Sequence, residues 1–255
     1  MALSRPWAQF KDGAASWWIN REFDSPDLRA RLRSPDTLMA PPAERLARDA
    51  APRHTEVARA DWGGPQVYIK RYRQKNFAQT VKDIFRPSRA RRTFETSFAL
   101  NERGIPTPLP IAVGEIRAGR SLKEAYLITR AVPDAKTFFE HRALAKRRAQ
   151  TRILMRTLAR ALAKLHDAGY SHSDPNLSNW LVVGPAYPDP KLLAIDLDGV
   201  RDIGNVSAKA AAKDLYRLVR YMSSYERAWF VAQYCRVRKR RLEPRAFLRL
   251  CQAHM

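Results

Sequence analysis

Cysteine is nearly absent: Cys235 and Cys251 are the whole supply in 255 residues. Two thiols cannot build a disulfide framework and give no thiolate spacing for a metal, so a reducing, cytoplasmic setting is expected. Nowhere do about 18 apolar residues run together, and the N-terminus, with Arg5, Lys11 and Asp12, lacks the apolar stretch of a signal peptide. Any membrane association is therefore expected to be peripheral. Glycine is scarce as well. The pair Gly63-Gly64 lies in "DWGGPQ", which is not G-x-G-x-x-G, so a glycine-rich phosphate loop is poorly marked. Acidic residues are outnumbered, 25 against 47 Lys and Arg, and the surplus of 22 attracts phosphates, anionic head groups or nucleic acid. Internal repeats and low-complexity linkers are missing too.

What is present suffices for a sizeable core: 45% of residues are apolar and 10% aromatic, enough for one large domain or two small lobes. Residues 1 to about 50 give no clean period and are expected as a short helix and an irregular connector. "HTEVARADWGGPQVYIKRY" has β-favouring residues on both sides of "DWGG", which predicts a hairpin with Lys70 in its second strand. Phe94 and Phe98 recur at helical spacing, and Gly104 with Pro106 stops that helix. A strand is expected near Ile111 to Val113 and a buried one at "EAYLITRAV". The strongest helix is predicted over 147–168. Leu154, Leu158, Leu162 and Leu165 form its apolar stripe, and Arg148, Arg152, Arg156, Arg160 and Lys164 repeat every four residues on another face. Strands "NWLVV" and "KLLAIDLDGV" follow, then a basic, helical remainder from about residue 207. Strands first and helices later indicate a β-rich lobe followed by an α-rich lobe.

The chemistry-bearing residues cluster after that long helix. In "SHSDPNLSNWLV", Asp174 is followed five residues later by Asn179. That is the spacing of a kinase catalytic loop, whose Asp accepts the proton of the attacking hydroxyl and whose Asn holds magnesium. Seventeen residues beyond Asn179, Asp196 follows a buried strand in "AIDLDG", where a second oxygen ligand for a hard cation would be needed. Lys70, inside the apolar "VYIK", is suited to neutralising the α- and β-phosphates of ATP. Singly, each piece has a commoner structural explanation: a chance His-x-Asp, an edge-strand lysine, a strand end entering a turn. Their order along one chain favours the kinase-like reading.

"VYIKRYR", "RARRTFETSFALNERGIPTPLPI", "LARALAKLHDAGYSHSDPNLSNWLV" and "AIDLDGVR" together resemble the lipopolysaccharide kinase family of Gram-negative bacteria, over roughly residues 54–203. The resemblance implies an α+β, bilobal protein-kinase-like fold that binds ATP between its lobes and phosphorylates Kdo or heptose of the lipid A–core precursor. It makes Asp174 the catalytic base, Asn179 and Asp196 the Mg2+ ligands and Lys70 the phosphate-binding lysine. His172 would brace the loop. Glu95 on the first helix is the expected partner of Lys70, with Glu102 as the fallback.

The departures carry information. Ser173 stands where protein kinases have Arg, which argues against control by a phosphorylated activation loop. Asn176 stands where most have Lys, so phosphate charge there must be met by another cation or by metal. Asp196-Leu197-Asp198 replaces Asp-Phe-Gly, with Gly199 one place late. Asp198 is a further candidate for metal or sugar contact, or a cap of the turn. The basic blocks at 86–92, 148–164 and 236–241 would hold the chain at an anionic inner-membrane face or grip a phosphorylated glycolipid. Nucleic acid is disfavoured: aromatics are not interleaved with the basic blocks, and no zinc-finger or helix-turn-helix spacing occurs. The expected organisation is an N-terminal extension at 1–50, an N-lobe at 51–130 and a C-lobe at 131–255. Two other readings use the same residues: an atypical RIO-like protein serine kinase, and a catalytically weak pseudokinase or basic binding module.

Overall fold

The structure, a computed structural model, describes residues 6–40, 43–45, 54–73, 84, 86–145, 148–184, 188–220 and 222–253. The chain divides into two compact units, Met1–Phe98 with Pro108–Ala131, and Ala99–Thr107 with Val132–Met255.

The first unit opens on a hairpin. β1 (Trp7–Asp12) and β2 (Ala15–Asn20) pair antiparallel from Trp7↔Asn20 to Asp12↔Ala15. Helix α1 (Pro26–Leu32) follows, with Ser25 Oγ accepting from the Leu28 N–H and Pro26 in its first turn. A 3-10 turn, Pro35–Met39, and the short β3 (Glu44–Arg45) come next. The expected short helix is α1, but the expectation of an otherwise irregular connector is corrected: among the described residues of this stretch β1, β2 and β3 belong to the sheet. The period was hidden because β2 lies between β1 and β6 (Pro110–Ala118) and is covered on both faces. Trp17 and Ile19 enter one apolar cluster and Trp18 another, so apolar and polar residues do not alternate.

With β4 (Thr55–Ala60), β5 (Val67–Arg73) and β7 (Ser121–Arg130), the sheet has seven antiparallel strands in the order β1-β2-β6-β7-β5-β4-β3. One face, with Ile69, Tyr126 and Ile128, packs with Leu32, Leu38 and Met39; the other, with Tyr72, Val113 and Leu127, packs with Phe94 of α2 (Arg89–Glu102). Lys70 lies two residues from Tyr72 and therefore shares the α2 face. Gly114 opposes Trp17 across the β2–β6 pair, and a β-carbon there would fall 2.4 Å from the indole, so only glycine lets that ring lie flat on the neighbouring strand. Helix α2 is capped by the buried Ser88, whose Oγ accepts from the Arg91 N–H, while its own N–H donates to the buried Glu115 carboxylate at 2.7 Å.

The second unit is mostly helical. Its elements are β8 (Lys136–Thr137), α3 (Phe138–Leu144), α4 (Arg148–Asp167), β9 (Tyr170–His172), β10 (Trp180–Val183), β11 (Lys191–Ala194), β12 (Val200–Asp202), α5 (Ala208–Val219), α6 (Ser224–Val237) and α7 (Pro244–Gln252). α3 begins with a capping box in which the side chains of Thr137 and Glu140 bond each other's backbone N–H. The leucine stripe of α4 is fully buried, and Arg148, Arg152, Arg156, Arg160 and Lys164 are all exposed. Arg238 departs from the rest of its basic run. It is buried, donates to Asp167 at 2.5 Å and to the Val206 carbonyl at 3.1 Å, and so ties the end of α6 to the end of α4. Cys235 and Cys251 are buried in this core, and desolvation pushes their thiols up to about 11 and about 12.

Candidate active site

Short strands on either side of two tight turns build the site in the second unit. β9 pairs with β12 through Val200↔His172, and the Ser173 N–H donates to the Gly199 carbonyl at 2.9 Å. A β-carbon on Gly199 would lie 2.6 Å from Ser173 Oγ and 3.4 Å from the Asp174 nitrogen. The late glycine is thus the point at which the turn after β11 touches the loop after β9.

His172 is fully buried. Its N–H donates to Asp214 Oδ2 at 2.7 Å, and its Nδ1 accepts the Asp174 N–H at 3.3 Å. Burial outweighs the pull of Asp214, Asp174 and Asp196 and pushes the imidazole down to about 4, so the ring is neutral near pH 7. With Nδ1 accepting, the proton sits on Nε2, which is buried and has no hydrogen-bond partner among the described residues. His172 is thus bonded to α5 on one side and to the start of the Asp174 loop on the other.

Asp214 was not among the sequence candidates. It is buried on α5, and besides the His172 N–H it meets His166 Nε2 at 3.3 Å. His166 Nδ1 in turn lies 2.6 Å from the Tyr234 hydroxyl. Burial holds His166 below its ordinary value and Tyr234 above its own, so both groups stay neutral. The available signal was one carboxylate set among Ala211, Leu215 and Leu218, where a charge needs a partner.

Asp174 is exposed. Its Oδ1 accepts from Asn176 Nδ2 at 2.6 Å, and its main-chain carbonyl accepts from Asn179 Nδ2 at 2.8 Å. Asn176, at the position of a lysine in protein kinases, thus orients the carboxylate. Asn179 is buried, with its amide nitrogen engaged by the Asp174 main-chain carbonyl. It closes the 3-10 turn Leu177–Asn179 by donating its N–H to the Asn176 carbonyl, and its own carbonyl accepts the Ile195 N–H at 2.9 Å. β10 and β11 are antiparallel, with Trp180↔Ala194 as their last pair, so Asn179 and Asp196 stand at the same end of that ladder.

The expected continuous strand through "AIDLDGV" breaks at Asp196, which takes a left-handed backbone (φ 54°, ψ 54°) and starts the 3-10 turn Leu197–Gly199. A non-glycine residue pays about 1 kcal/mol or more for that conformation, a cost typical of a functional position. Asp198 sits half-buried on the same turn. An amide oxygen and a carboxylate are hard donors suited to Mg2+, which keeps several waters or phosphate oxygens around one or two protein ligands. Among the described residues no cluster of three or more His, Cys, Asp or Glu could form an all-protein metal cage, and a two-donor site does not need one.

In the first unit, Lys70 pairs with Val57 and Leu127 across the sheet, and its ammonium lies 5.2 Å from the centre of the Tyr72 ring. Its neighbour Arg71 is tied to Glu124 by bonds of 3.0 and 2.5 Å. Glu95 Oε1 accepts from Arg91 Nε at 3.1 Å, and that guanidinium lies 4.1 Å over Trp18. Glu102 is the exposed last residue of α2. The second unit thus gathers Asp174, Asn176, Asn179, Asp196 and Asp198 around one pair of turns, while Lys70 and Glu95 belong to the sheet and helix of the first.

The model of the lipopolysaccharide kinase (Kdo/WaaP) family matches residues 46–240, the span that holds Lys70, the loop and Asp196. The chain belongs to the Kdo/WaaP lipopolysaccharide kinase family. Among curated proteins, a 3-deoxy-D-manno-octulosonic acid kinase of Vibrio parahaemolyticus serotype O3:K6 (strain RIMD 2210633) is 24% identical over 123 residues, 46% of this chain and 50% of that protein. The match thus spans half the length of that relative. Two solved structures are similar in fold. WaaP in complex with acyl carrier protein gives a TM-score of 0.63 at 19% identity, over 89% of this chain and 91% of that one. An aminoglycoside-3'-phosphotransferase of type VIII gives 0.56 at 17%, over 91% and 100%. Membership of the Kdo/WaaP family and these two neighbours establish the α+β protein-kinase-like fold.

Proposed function

We propose that the chain is an ATP-dependent kinase that phosphorylates a sugar hydroxyl, Kdo or heptose, of the lipopolysaccharide inner core, working at the cytoplasmic face of an anionic membrane. The observation that carries this reading is the state of Asp174: an exposed carboxylate, aimed by Asn176, on a loop that the His172–Asp214 bond fixes from below. A fixed carboxylate beside an approaching alcohol is what general-base phosphoryl transfer requires.

The acceptor hydroxyl donates a hydrogen bond to Asp174. As its oxygen bonds to the γ-phosphorus, the bond to the bridging oxygen breaks, ADP leaves and Asp174 takes the proton. Lys70 is assigned to the nucleotide's α- and β-phosphates. Mg2+, with Asn179 and Asp196 as its ligands, would neutralise charge on the phosphates when bound. Asn176 supplies orientation and no charge, so cations elsewhere must balance the anionic acceptor. Glu95 is retained as the partner that Lys70 would take in the working enzyme, in exchange for Arg91. The Vibrio relative's name puts Kdo first among acceptors to test.

The test supplies the full chain with γ-labelled ATP, Mg2+ and either a Kdo-bearing or a heptose-bearing lipid A precursor. One phosphate appearing on one of the sugars, lost in Asp174→Asn, is the expected result. ATP turnover with label entering protein and neither sugar would replace the reading with a protein kinase.

A further inference from the structure

On the second unit, α4 carries Arg148, Arg152, Arg156, Arg160 and Lys164 at four-residue spacing, all exposed. That row runs about 24 Å along the helix at roughly 1.5 Å per residue. The helix has no acidic residue before Asp167. Exposed helices that are charged for solubility alternate signs, because i,i+4 pairs of like charge repel and lower helix stability. Among the described residues Arg148, Arg156 and Arg160 make no ion pair or hydrogen bond. A row of like charges costs the helix some stability, which an anion outside the chain would offset.

Beside this row lie side chains that ordinarily seek a core. Phe139 and Leu144 on α3 are each 61% exposed, and Tyr225 at the start of α6 is 64% exposed. Tyr225 touches the row, and α3 lies against the helix that carries it. Arg152 donates to the Tyr225 hydroxyl at 2.8 Å, Arg142 of α3 bonds both oxygens of Glu226 at 3.0 and 3.2 Å, and α3 packs against α4. The acids there are engaged: Glu226 with Arg142 and Ser223, and Glu140 with Thr137. Arginines next to projecting aromatic and aliphatic tips are the pairing that an anionic lipid interface binds, charge at the head groups and apolar tips just beneath.

We propose that the arginine row of α4, with Tyr225 against it and the exposed tips Phe139 and Leu144 on the adjoining α3, is the surface by which the protein docks on anionic lipid. The inference deepens the proposed function, since the acceptor there is a membrane glycolipid, yet it is measured without nucleotide or acceptor. α3 packs on the Leu177–Asn179 turn, so the docked face adjoins the segment that carries Asp174.

The experiment is co-sedimentation of the full chain with vesicles of phosphatidylethanolamine and phosphatidylglycerol, against phosphatidylcholine alone. Binding only to the anionic vesicles, reversed by high salt, is expected. The triple variant Arg148→Ala, Arg156→Ala, Arg160→Ala should lower the partition by roughly fivefold per arginine, while the triple Lys variant at the same positions keeps most of it. Phe139→Ser with Leu144→Ser should weaken binding at all salt concentrations, with thermal unfolding confirming the fold. Asp174→Asn should bind as the parent does, which separates failure of docking from failure of the kinase reading. Equal binding by the parent and the triple Ala variant would overturn the proposal. So would indifference to anionic vesicles, including the case in which an acidic protein is bound instead.

Discussion

The loop from Tyr170 to Asn179 has a buried side and an exposed side, and its polar groups are treated differently on each. Below, His172, Asp214, His166 and Tyr234 are desolvated, neutral where they can be, and joined in series. Above, Asp174 stands in solvent with Asn176 to aim it. Buried polar groups are expensive to leave unpaired, so the lower set fixes shape; the upper set stays open to solvent and, in the proposed reaction, to a substrate's proton. The two layers should therefore fail in different measurements.

The largest separation is expected from Asp174→Asn. Phosphoryl transfer should fall roughly a hundred- to ten-thousand-fold, as for loss of a general base, with the urea midpoint unchanged. Transfer near the parental rate would remove Asp174 from the reaction. Asp214→Ala should do the reverse, costing on the order of 3 kcal/mol in urea unfolding because the His172 N–H and His166 lose a buried acceptor. Unaltered stability would mean that the lower layer does not hold the fold.

Acid titration probes the same layer. His172 is about 4 when folded against an ordinary 6.5, so the unfolded chain takes the proton first as pH falls. Stability is then full above about pH 6.5 and declines toward pH 4, by roughly 3 kcal/mol in all, with His166 adding in the same direction. Unfolding midpoints at pH 7.5 and 5.0 should show the decline, and His172→Gln should flatten it. The smallest effect is expected for Asn176→Ala, a loss of about tenfold in kcat from a less well-aimed carboxylate with stability unmoved. A change in KM alone would assign Asn176 to substrate binding.

Sequence made the upper layer legible and, of the lower one, only His172, for a physical reason. Asp174, Asn179 and Asp196 sit in short local motifs whose spacing survives in one dimension. Asp214 reaches its partners across 42 and 48 residues of chain, and nothing local marks it beyond its apolar company. Arg238 was hidden inside "RVRKRR", where only burial tells the one structural cation from its exposed neighbours. The hairpin β1–β2 was hidden because a strand covered on both faces loses its alternation, although Asp12-Gly13 offered a turn signal. Fold class was easier, since strands precede helices along most of the chain.

The contact between Gly199 and Ser173 bears on motion. The Ser173 amide is held by the Gly199 carbonyl and the Ile195 amide by the Asn179 carbonyl, so the turns carrying Asp174 and Asp196 are laced together at two points. Neither turn's backbone can drift far without taking the other along. In hydrogen exchange the Ser173 and Ile195 amides are expected to open together, on the slow timescale of the surrounding core, and the two acids to behave as one rigid jaw.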